Sequence, residues 1–325
     1  MKNIKKDEFI PKTSHINIFK RAKIINKIRS FFLKNNVLEV DTPIMSSFTV
    51  TDVNITPFKT LFLNKKKKKL WLITSPEYHM KRLISYGLGS IYQICHSFRN
   101  GELGKYHNPE FTILEWYETN CDIFKLMNKI NVLLNNLKKY KKVVFISYER
   151  IFMNYLKINP LTCSKKDLIK KIQDVSKDNS LSFKNKNKDS LLEYLFIIGL
   201  YPILKKIELI FIYHFPASQA SLSKINSLNN KISERFEIFS YGLEIANGFD
   251  ELVDFKEQKK RFKKNNKTRE KNGMKKVKID KNFINSLKKG LPQCSGVAIG
   301  IERLIMSILK IKNINEIINF PLDIC

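Results

Sequence analysis

The sequence predicts an α+β fold, an antiparallel sheet flanked by helices, and three stretches of the 325 residues carry that prediction. Residues 91–98 and 111–117 both alternate with the period of two that marks a strand. The polar loop between them, broken by Gly101, Gly104 and Pro109, joins them as a long antiparallel hairpin. Residues 234–248 read as a second hairpin, turning near Tyr241 and Gly242. Ile18, Ala22, Ile25, Ile28 and Phe32 recur at helical spacing, which makes 16–33 a long amphipathic helix.

Composition supports a folded chain, since 43% hydrophobic residues suffice for a substantial core. The net charge of +29, from 59 basic and 30 acidic side chains, would ordinarily point to nucleic acid. The excess is nearly all lysine, however, spread through loops and helices alike as a compositional bias. Only nine residues are arginine, the side chain that nucleic-acid sites favour for bidentate contacts. The basic surface would still steer an acidic partner. Five widely spaced cysteines with no C-x-x-C pair argue for thiols in a reducing cytoplasm and against zinc or a disulfide framework. No secretory signal is expected at the start of the chain, and the most apolar run, 194–204, is too short to span a bilayer.

Taken in order, the long helix should end near Asn35 and Asn36, and 37–40 should be a short strand before Thr42 and Pro43. A generic helix and strand accounts for these residues equally well. Lysines 65–69 read as a solvated loop tip. Residues 70–74 read as a strand that delivers Ser75, Pro76 and Glu77, a helix start with serine at the N-cap and proline at the first helical position. Such a turn is also where a ligand meets exposed backbone N–H groups.

In the first hairpin Phe111, Ile113, Glu115 and Tyr117 share one face, and with Arg99 they bring an arginine, a carboxylate and a phenol toward one cavity. The same alternation fits a sheet edge with a solvated charged face. Residues 122–202 show helical patterns at 123–137, 168–175 and 191–198, separated by lysine- and asparagine-rich loops, with nothing that suggests chemistry. A strand at 209–214 leads into F-P-A-S-Q-A-S-L at 215–222.

In the second hairpin Glu237 and Glu244 fall on opposite strands, so cross-strand pairing would bring two like charges together, a repulsion that a hard cation such as Mg²⁺ removes. A solvated pair, each glutamate with its own lysine, is the alternative. Residues 256–289 read as a lysine-rich helix and linker with a solvated face. C-S-G-V-A-I-G-I-E-R at 294–303 packs glycines into a strand, which tends to mark close approach of a ligand or another backbone, before an apolar helix at 304–309. No G-x-x-x-x-G-K-[ST] or G-x-G-x-x-G string occurs.

Three of these stretches resemble the signature motifs of class II aminoacyl-tRNA synthetases. The helix, strand and proline at about 18–45 resemble motif 1, the dimer interface of that family. F-R-N-G-E-L-G-K-Y-H-N-P-E-F-T-I-L-E-W-Y at 98–117 resembles motif 2, within about 91–118, and 294–310 resembles motif 3. E-I-A-N-G-F-D-E-L at 244–252 is similar to the E-L-A-N-G-F-x-E-L of the lysyl branch, and F-P-A-S-Q-A-S-L is closer to the branch whose members attach β-lysine to a lysine of elongation factor P.

The resemblance implies a tail over 1–15 and a single class II catalytic domain over 16–325, with an insertion at about 122–202. It implies ATP and Mg²⁺ as cofactors and acyl-adenylate chemistry. ATP would be held by Arg99, Asn100, Gly101, Asn108 and Phe111, by Glu244, Ile245 and Asn247, and by Gly300 and Arg303. Arg99 would stabilise the α-phosphate, Phe111 would stack on the base, and Arg303 would lie against adenine and the leaving phosphates. Glu237 and Glu244 would hold the metal. Ser75, Pro76, Glu77, Glu115, Tyr117 and Glu251 would line the amino-acid site. Ala298, where lysyl synthetases tend to have glycine, would tune isomer choice.

Elongation factor P would be the acceptor and β-lysine the substrate, and a homodimer is implied. Neither tRNA nor a membrane is expected as a partner, because motif 1 begins within the first twenty residues and leaves no anticodon-binding module before it. The family's R-N-E becomes Arg99-Asn100-Gly101-Glu102, and motif 3 ends Gly-Ile-Glu-Arg where aspartate is usual. The first departure keeps a catalytically impaired binding protein in view, and a lysine–tRNA ligase fragment is the alternative within the class, against which the missing anticodon-binding module argues.

Overall fold

The computed structural model describes residues 9–63, 67–178, 180, 183 and 186–325. In chain order its helices and strands are α1 His15–Lys34, β1 Leu38–Glu39, β2 Met45–Ser46, β3 Lys59–Phe62, β4 Lys68–Leu72, α2 Glu77–Tyr86, β5 Ile91–Phe98, β6 Glu110–Thr119 and α3 Ile123–Leu137. There follow β7 Val143–Ser147, α4 Tyr148–Leu156, α5 Lys165–Ser176, α6 Lys188–Leu195, α7 Tyr201–Leu204, β8 Leu209–Tyr213, β9 Arg235–Ser240 and β10 Leu243–Asp250. The chain closes with α8 Phe255–Lys271, α9 Lys281–Lys289, β11 Cys294–Gly300 and α10 Ile301–Leu309. The architecture is the α+β arrangement of mainly antiparallel sheet and flanking helices that the sequence predicts. Residues 16–325, read from the sequence as one domain, fall into two compact units.

The first unit comprises 1–120, 253–294 and 298–325. Its main sheet runs β1-β5-β6-β11, with β1 parallel to β5 and β5 antiparallel to β6, beside a smaller sheet β2-β4-β3. The β5–β6 ladder is unbroken from Ile91↔Tyr117 to Phe98↔Glu110, and both faces of β6 are buried from Thr112 to Glu118. A strand covered on both faces cannot keep a solvated charged face, which disposes of the sheet-edge alternative. The helix α1 lies on this sheet through Phe32, whose ring stacks on Tyr92 at 4.0 Å and meets Trp116 edge-on at 5.0 Å. Ser14 caps its start by accepting from the Asn17 N–H, and Asn35 closes it, as expected.

The second unit, 121–252 with 295–297, has the strand order β11-β10-β9-β8-β7. The hairpin β9–β10 turns at Tyr241 and Gly242, both at positive φ, and α3 has the predicted bounds. At Gly248 two backbones approach so closely that an added Cβ would lie 2.8 Å from the Gly296 carbonyl oxygen and within 2.5 Å of the Phe236 ring.

Several expectations need correction. The strand read at 70–74 is β4, two residues earlier. Lys68 and Lys69 belong to it rather than to a loop tip, because their backbones pair with β3 while their side chains stay exposed. Residues 65 and 66 of that run lie outside the described residues. The insertion at 122–202 is not all helical, since β7 pairs in parallel with β8 and α4 follows it directly. Val143, Val144 and Ile146 form no alternating stripe because the strand is short and half-buried. Nor is 256–289 a solvated linker. Gln258, Phe262, Asn266 and Arg269 make a buried stripe on α8, and Phe283 of α9 stacks on Tyr78 of α2 at 4.4 Å. The last helix begins at Ile301 rather than Leu304.

No disulfide joins the cysteines, and among the described residues no helix is long and apolar enough to cross a membrane. Gly248→Ala should cost about 1–3 kcal/mol by overpacking, since the obstruction is partly backbone. The urea midpoint of unfolding should fall accordingly, and an unchanged midpoint would remove the close approach.

Candidate active site

Ser75, Pro76 and Glu77 sit where β4 gives way to α2. Pro76 adopts helical dihedrals just before the first helical residue, one place earlier than the helix start assigned to it, and the Ser75 hydroxyl accepts from the Glu77 N–H. The same hydroxyl donates to the Glu115 carboxylate, whose other oxygen accepts from the Tyr117 hydroxyl at 2.9 Å. Glu115 and Tyr117 are neighbours on one face because they are two apart on β6. A buried carboxylate beside a second carboxylate resists ionisation. The Glu115 acid is pushed up to about 7, by burial first and by the charge of Glu77 second, against the pull of Ser75, Tyr117 and Lys81.

Lys81 was not singled out from the sequence. It lies one helical turn after Glu77, bonds that carboxylate at 2.5 Å, and is 1% exposed. In a lysine-rich chain an i,i+4 pair reads as surface decoration, so only the helical phase, which puts it beside buried Met80 and Ile84, could have found it.

The motif 2 residues meet those of motif 3 within the same unit. The Arg99 guanidinium lies over the Phe111 ring, 5.1 Å from its centroid, and its Nη1 is 3.8 Å from Glu102 Oε1. Gly101 has φ +84°, a conformation that favours glycine, so a glutamate in its place would be strained. The turn carries the next residue back toward Arg99, and Glu102 is thus the carboxylate beside the arginine. Asn100 is exposed at this turn.

Asn108 is buried with both ends of its amide engaged, donating to the Glu110 carbonyl and accepting from the Leu322 N–H. Its side chain therefore shapes the loop. Arg303 in the first turn of α10 donates from Nε to the Tyr106 carbonyl and meets the His107 ring, while Gly300 borders it with room for a Cβ. Ala298 packs with Phe111 against Ile73, Cys95 and Ile113. Its added methyl thus reaches the cluster at the end of the strand that leads to Ser75.

Glu302, next to Arg303, is the glutamate that stands in motif 3 where aspartate is usual, and the sequence alone assigns it no role. It is 3% exposed, accepts from the Thr112 N–H at 2.9 Å and from Arg21 at 3.2 Å, and Arg21 also donates to the Thr112 hydroxyl at 2.8 Å.

In the second unit the register corrects one expectation. Glu244 lies opposite Phe239, two residues from Glu237, because the strands pair outward from the turn at Tyr241 and Gly242, and a bulge between Glu244 and Ala246 then sets Glu237 opposite Asn247. The two carboxylates are diagonal neighbours and still repel. Glu237 is pushed up to about 7, chiefly by burial, with Arg235 opposing and Glu244 and Glu193 adding to it. Arg235, also unforeseen, pairs with Glu237, donates to Asn247 at 3.3 Å and to the Gln219 carbonyl at 2.9 Å, and lies over the Phe215 ring at 4.7 Å. It gives the 215–222 string a role, since that loop anchors the arginine.

Two repelling carboxylates on one hairpin suit Mg²⁺, which takes one or two carboxylates plus phosphates. Among the described residues no group of three or more histidines, cysteines or carboxylates could hold a metal, so a Mg²⁺ here would rely on water and phosphate oxygens for its other ligands. The Ile245 side chain is buried and offers a ligand only its backbone, and Glu251 is buried beside Ser223.

Sheet order and the motif residues together define a class. The chain belongs to the class II tRNA synthetase family, whose profile for the D, K and N members matches residues 9–324. Within that class it is similar to the elongation factor P–(R)-β-lysine ligase of Buchnera aphidicola subsp. Schizaphis graminum (strain Sg), 47% identical over 322 residues that cover 98% of this chain and 99% of that one. Proteins of the same name from Buchnera aphidicola subsp. Acyrthosiphon pisum (strain Tuc7) and subsp. Baizongia pistaciae (strain Bp) are 50% and 49% identical, each over 95% of this chain and 96% of their own.

A ligand ammonium placed beside Glu115 would favour its ionised form and so expel the proton that burial retains. Binding of a lysine-like ligand should release about one proton near pH 6 and almost none near pH 9, with affinity falling as pH drops below about 7. Titration calorimetry in buffers of different ionisation enthalpy measures this, and uptake or no release near pH 6 contradicts it.

Proposed function

We propose that this protein is an ATP-dependent, AMP-forming ligase that activates (R)-β-lysine as an acyl-adenylate and transfers it to the ε-amino group of a lysine on elongation factor P. The observation that carries this reading is the likeness, at 47–50% identity over nearly the whole chain, to proteins bearing that name. The buried carboxylates at Glu77 and Glu115 support it, since a desolvated substrate ammonium must be paired.

In the first step the substrate carboxylate attacks the α-phosphorus of ATP and pyrophosphate leaves. In the second the neutral amine of the acceptor lysine attacks the acyl carbon and AMP leaves. Negative charge builds on the α-phosphate and the departing pyrophosphate, and fixed cations stabilise it. Arg99 serves the α-phosphate, where its stacking on Phe111 holds the guanidinium in place. Phe111 and Arg303 take the adenine ring between them. Asn100 and Gly101 shape the turn against the nucleotide, Asn108 holds the loop, and Gly300 leaves room beside Arg303.

Glu237 and Glu244 hold Mg²⁺, whose contribution is to neutralise phosphate charge. Asn247 is fixed by Arg235 next to them, and Ile245 contributes backbone. Ser75, Pro76, Glu77, Glu115, Tyr117 and Glu251 receive the amino acid, and the Ala298 methyl narrows the choice of isomer. The protein is assigned to the cytoplasm, where its five free thiols would stay reduced.

Purified protein with Mg-ATP and labelled β-lysine should move the label to elongation factor P and not to tRNA, with β-lysine preferred over α-lysine. Arg99→Ala should abolish adenylate formation without unfolding. Label on tRNA would make this a minimal synthetase, and absence of adenylate would make it a binding protein.

A homodimer is proposed through the motif 1 surface, where Phe19, Leu33 and Met45 are 77%, 78% and 56% exposed. Sedimentation should give twice the mass of one chain, and a monomer at micromolar concentration would refute this.

A further inference from the structure

The substrate site already contains an ammonium of its own. Lys81 is 1% exposed, far below what a lysine accepts without a partner, and its Nζ bonds Glu77 Oε1 at 2.5 Å. Its ammonium lies 6.0 Å from the Tyr117 ring centroid and 5.9 Å from that of Phe283, an aromatic lining that attracts a cation. Glu115 faces Glu77 and this ammonium on α2, Tyr117 on β6 and Cys95 on β5, which Asp41 also faces, and Glu77 in turn faces Tyr78, beside which lie Asp280 and Asp52. Among them Glu77 and Tyr117 belong with Glu115 to the amine-binding set proposed above, and this inference rests on that reading.

We infer that Lys81 is a specificity-determining positioning residue, a built-in ammonium that keeps Glu77 ionised and fixed and leaves the Glu77–Glu115 pair one net negative charge with which to take one substrate ammonium. Without it, Glu77 and Glu115 are two buried like charges, and one of them takes up a proton. The proton then competes with the substrate. Lys81 does not touch the reacting atoms, so its loss acts on recognition of the amine and leaves ATP binding alone.

The test measures pyrophosphate exchange driven by β-lysine and by α-lysine as a function of pH, for wild type and for Lys81→Met, with the melting temperature of each. At pH 7 the KM for the preferred isomer should rise by about 10- to 100-fold in Lys81→Met, with the KM for ATP within about twofold. The amino-acid KM of the variant should recover as pH rises to about 9, because the competing proton leaves, whereas the wild-type KM should be nearly flat over that range.

An increase that is the same at every pH, or an equal change in the KM for ATP, would assign Lys81 to simple packing and overturn the inference. Should Lys81→Met not fold, Lys81→Gln keeps length and a hydrogen bond to Glu77 without the charge and carries the same test. Failure of both variants to fold also assigns Lys81 to packing. Wild type inactive with both isomers would overturn the proposed function and this inference together, while an active wild type with a pH-independent variant overturns the inference alone.

Discussion

One buried carboxylate joins the three motif segments. Glu302 stands in the first turn of α10, next to Arg303, and its two oxygens take the backbone N–H of Thr112 on β6 and the guanidinium of Arg21 on α1. Arg21 completes the triangle by donating to the Thr112 hydroxyl. A carboxylate at 3% exposure is tolerable only when paired, and breaking such a pair costs about 3–5 kcal/mol. Glutamate in place of the usual aspartate supplies one more methylene of reach, so this departure from the family pattern is compatible with a fully bonded network. The strand bearing Phe111 and Glu115, the helix bearing Arg303 and the helix of motif 1 are thereby held in fixed register.

What the sequence made legible follows from periodicity. The β5–β6 and β9–β10 hairpins were readable because each alternates over a long stretch with turn residues at its tip, and Gly242 at positive φ bears out the second turn. The long helices α1 and α3 were readable from their apolar stripes. The short strand read at 37–40 is β1, whereas a two-residue strand such as β2 or a half-buried one such as β7 carries too little pattern to be read. The diagonal placement of Glu237 and Glu244 follows from the turn at Tyr241 and Gly242, whereas the bulge that sets Glu237 opposite Asn247 is not marked in a single sequence when the bulged residues are ordinary.

The site was legible in its acids and not in its buried cations. Glu77, Glu115, Glu237 and Glu244 were candidates from their strands and turns, whereas Lys81, Arg235 and Arg21 were not. For the lysine the reason is background, since 59 basic residues hide one that is buried. For the arginines a signal existed and was not used. With nine arginines in so lysine-rich a chain, an arginine is the side chain to examine for contacts that a point charge cannot make. Arg235 makes three hydrogen bonds and a ring contact, and Arg269 donates to the carbonyls of Lys275 and Asp52, work that needs a planar fork.

The same contrast explains the charge of the molecule. Lysines supply the +29 surplus, while the candidate site is built on buried acids that the fold makes reluctant to ionise. Glu115 and Glu237, on different hairpins, are both raised to about 7 for the same reason, burial beside another carboxylate. Each is eased by one internal cation that does not fully balance its set, Lys81 in one and Arg235 in the other. A fully neutralised site would have no electrostatic claim on an ammonium or a metal ion, and a wholly uncompensated one would protonate. The intermediate state leaves repulsion that a cationic ligand would relieve, so the same buried charges that cost the fold stability would favour a cation.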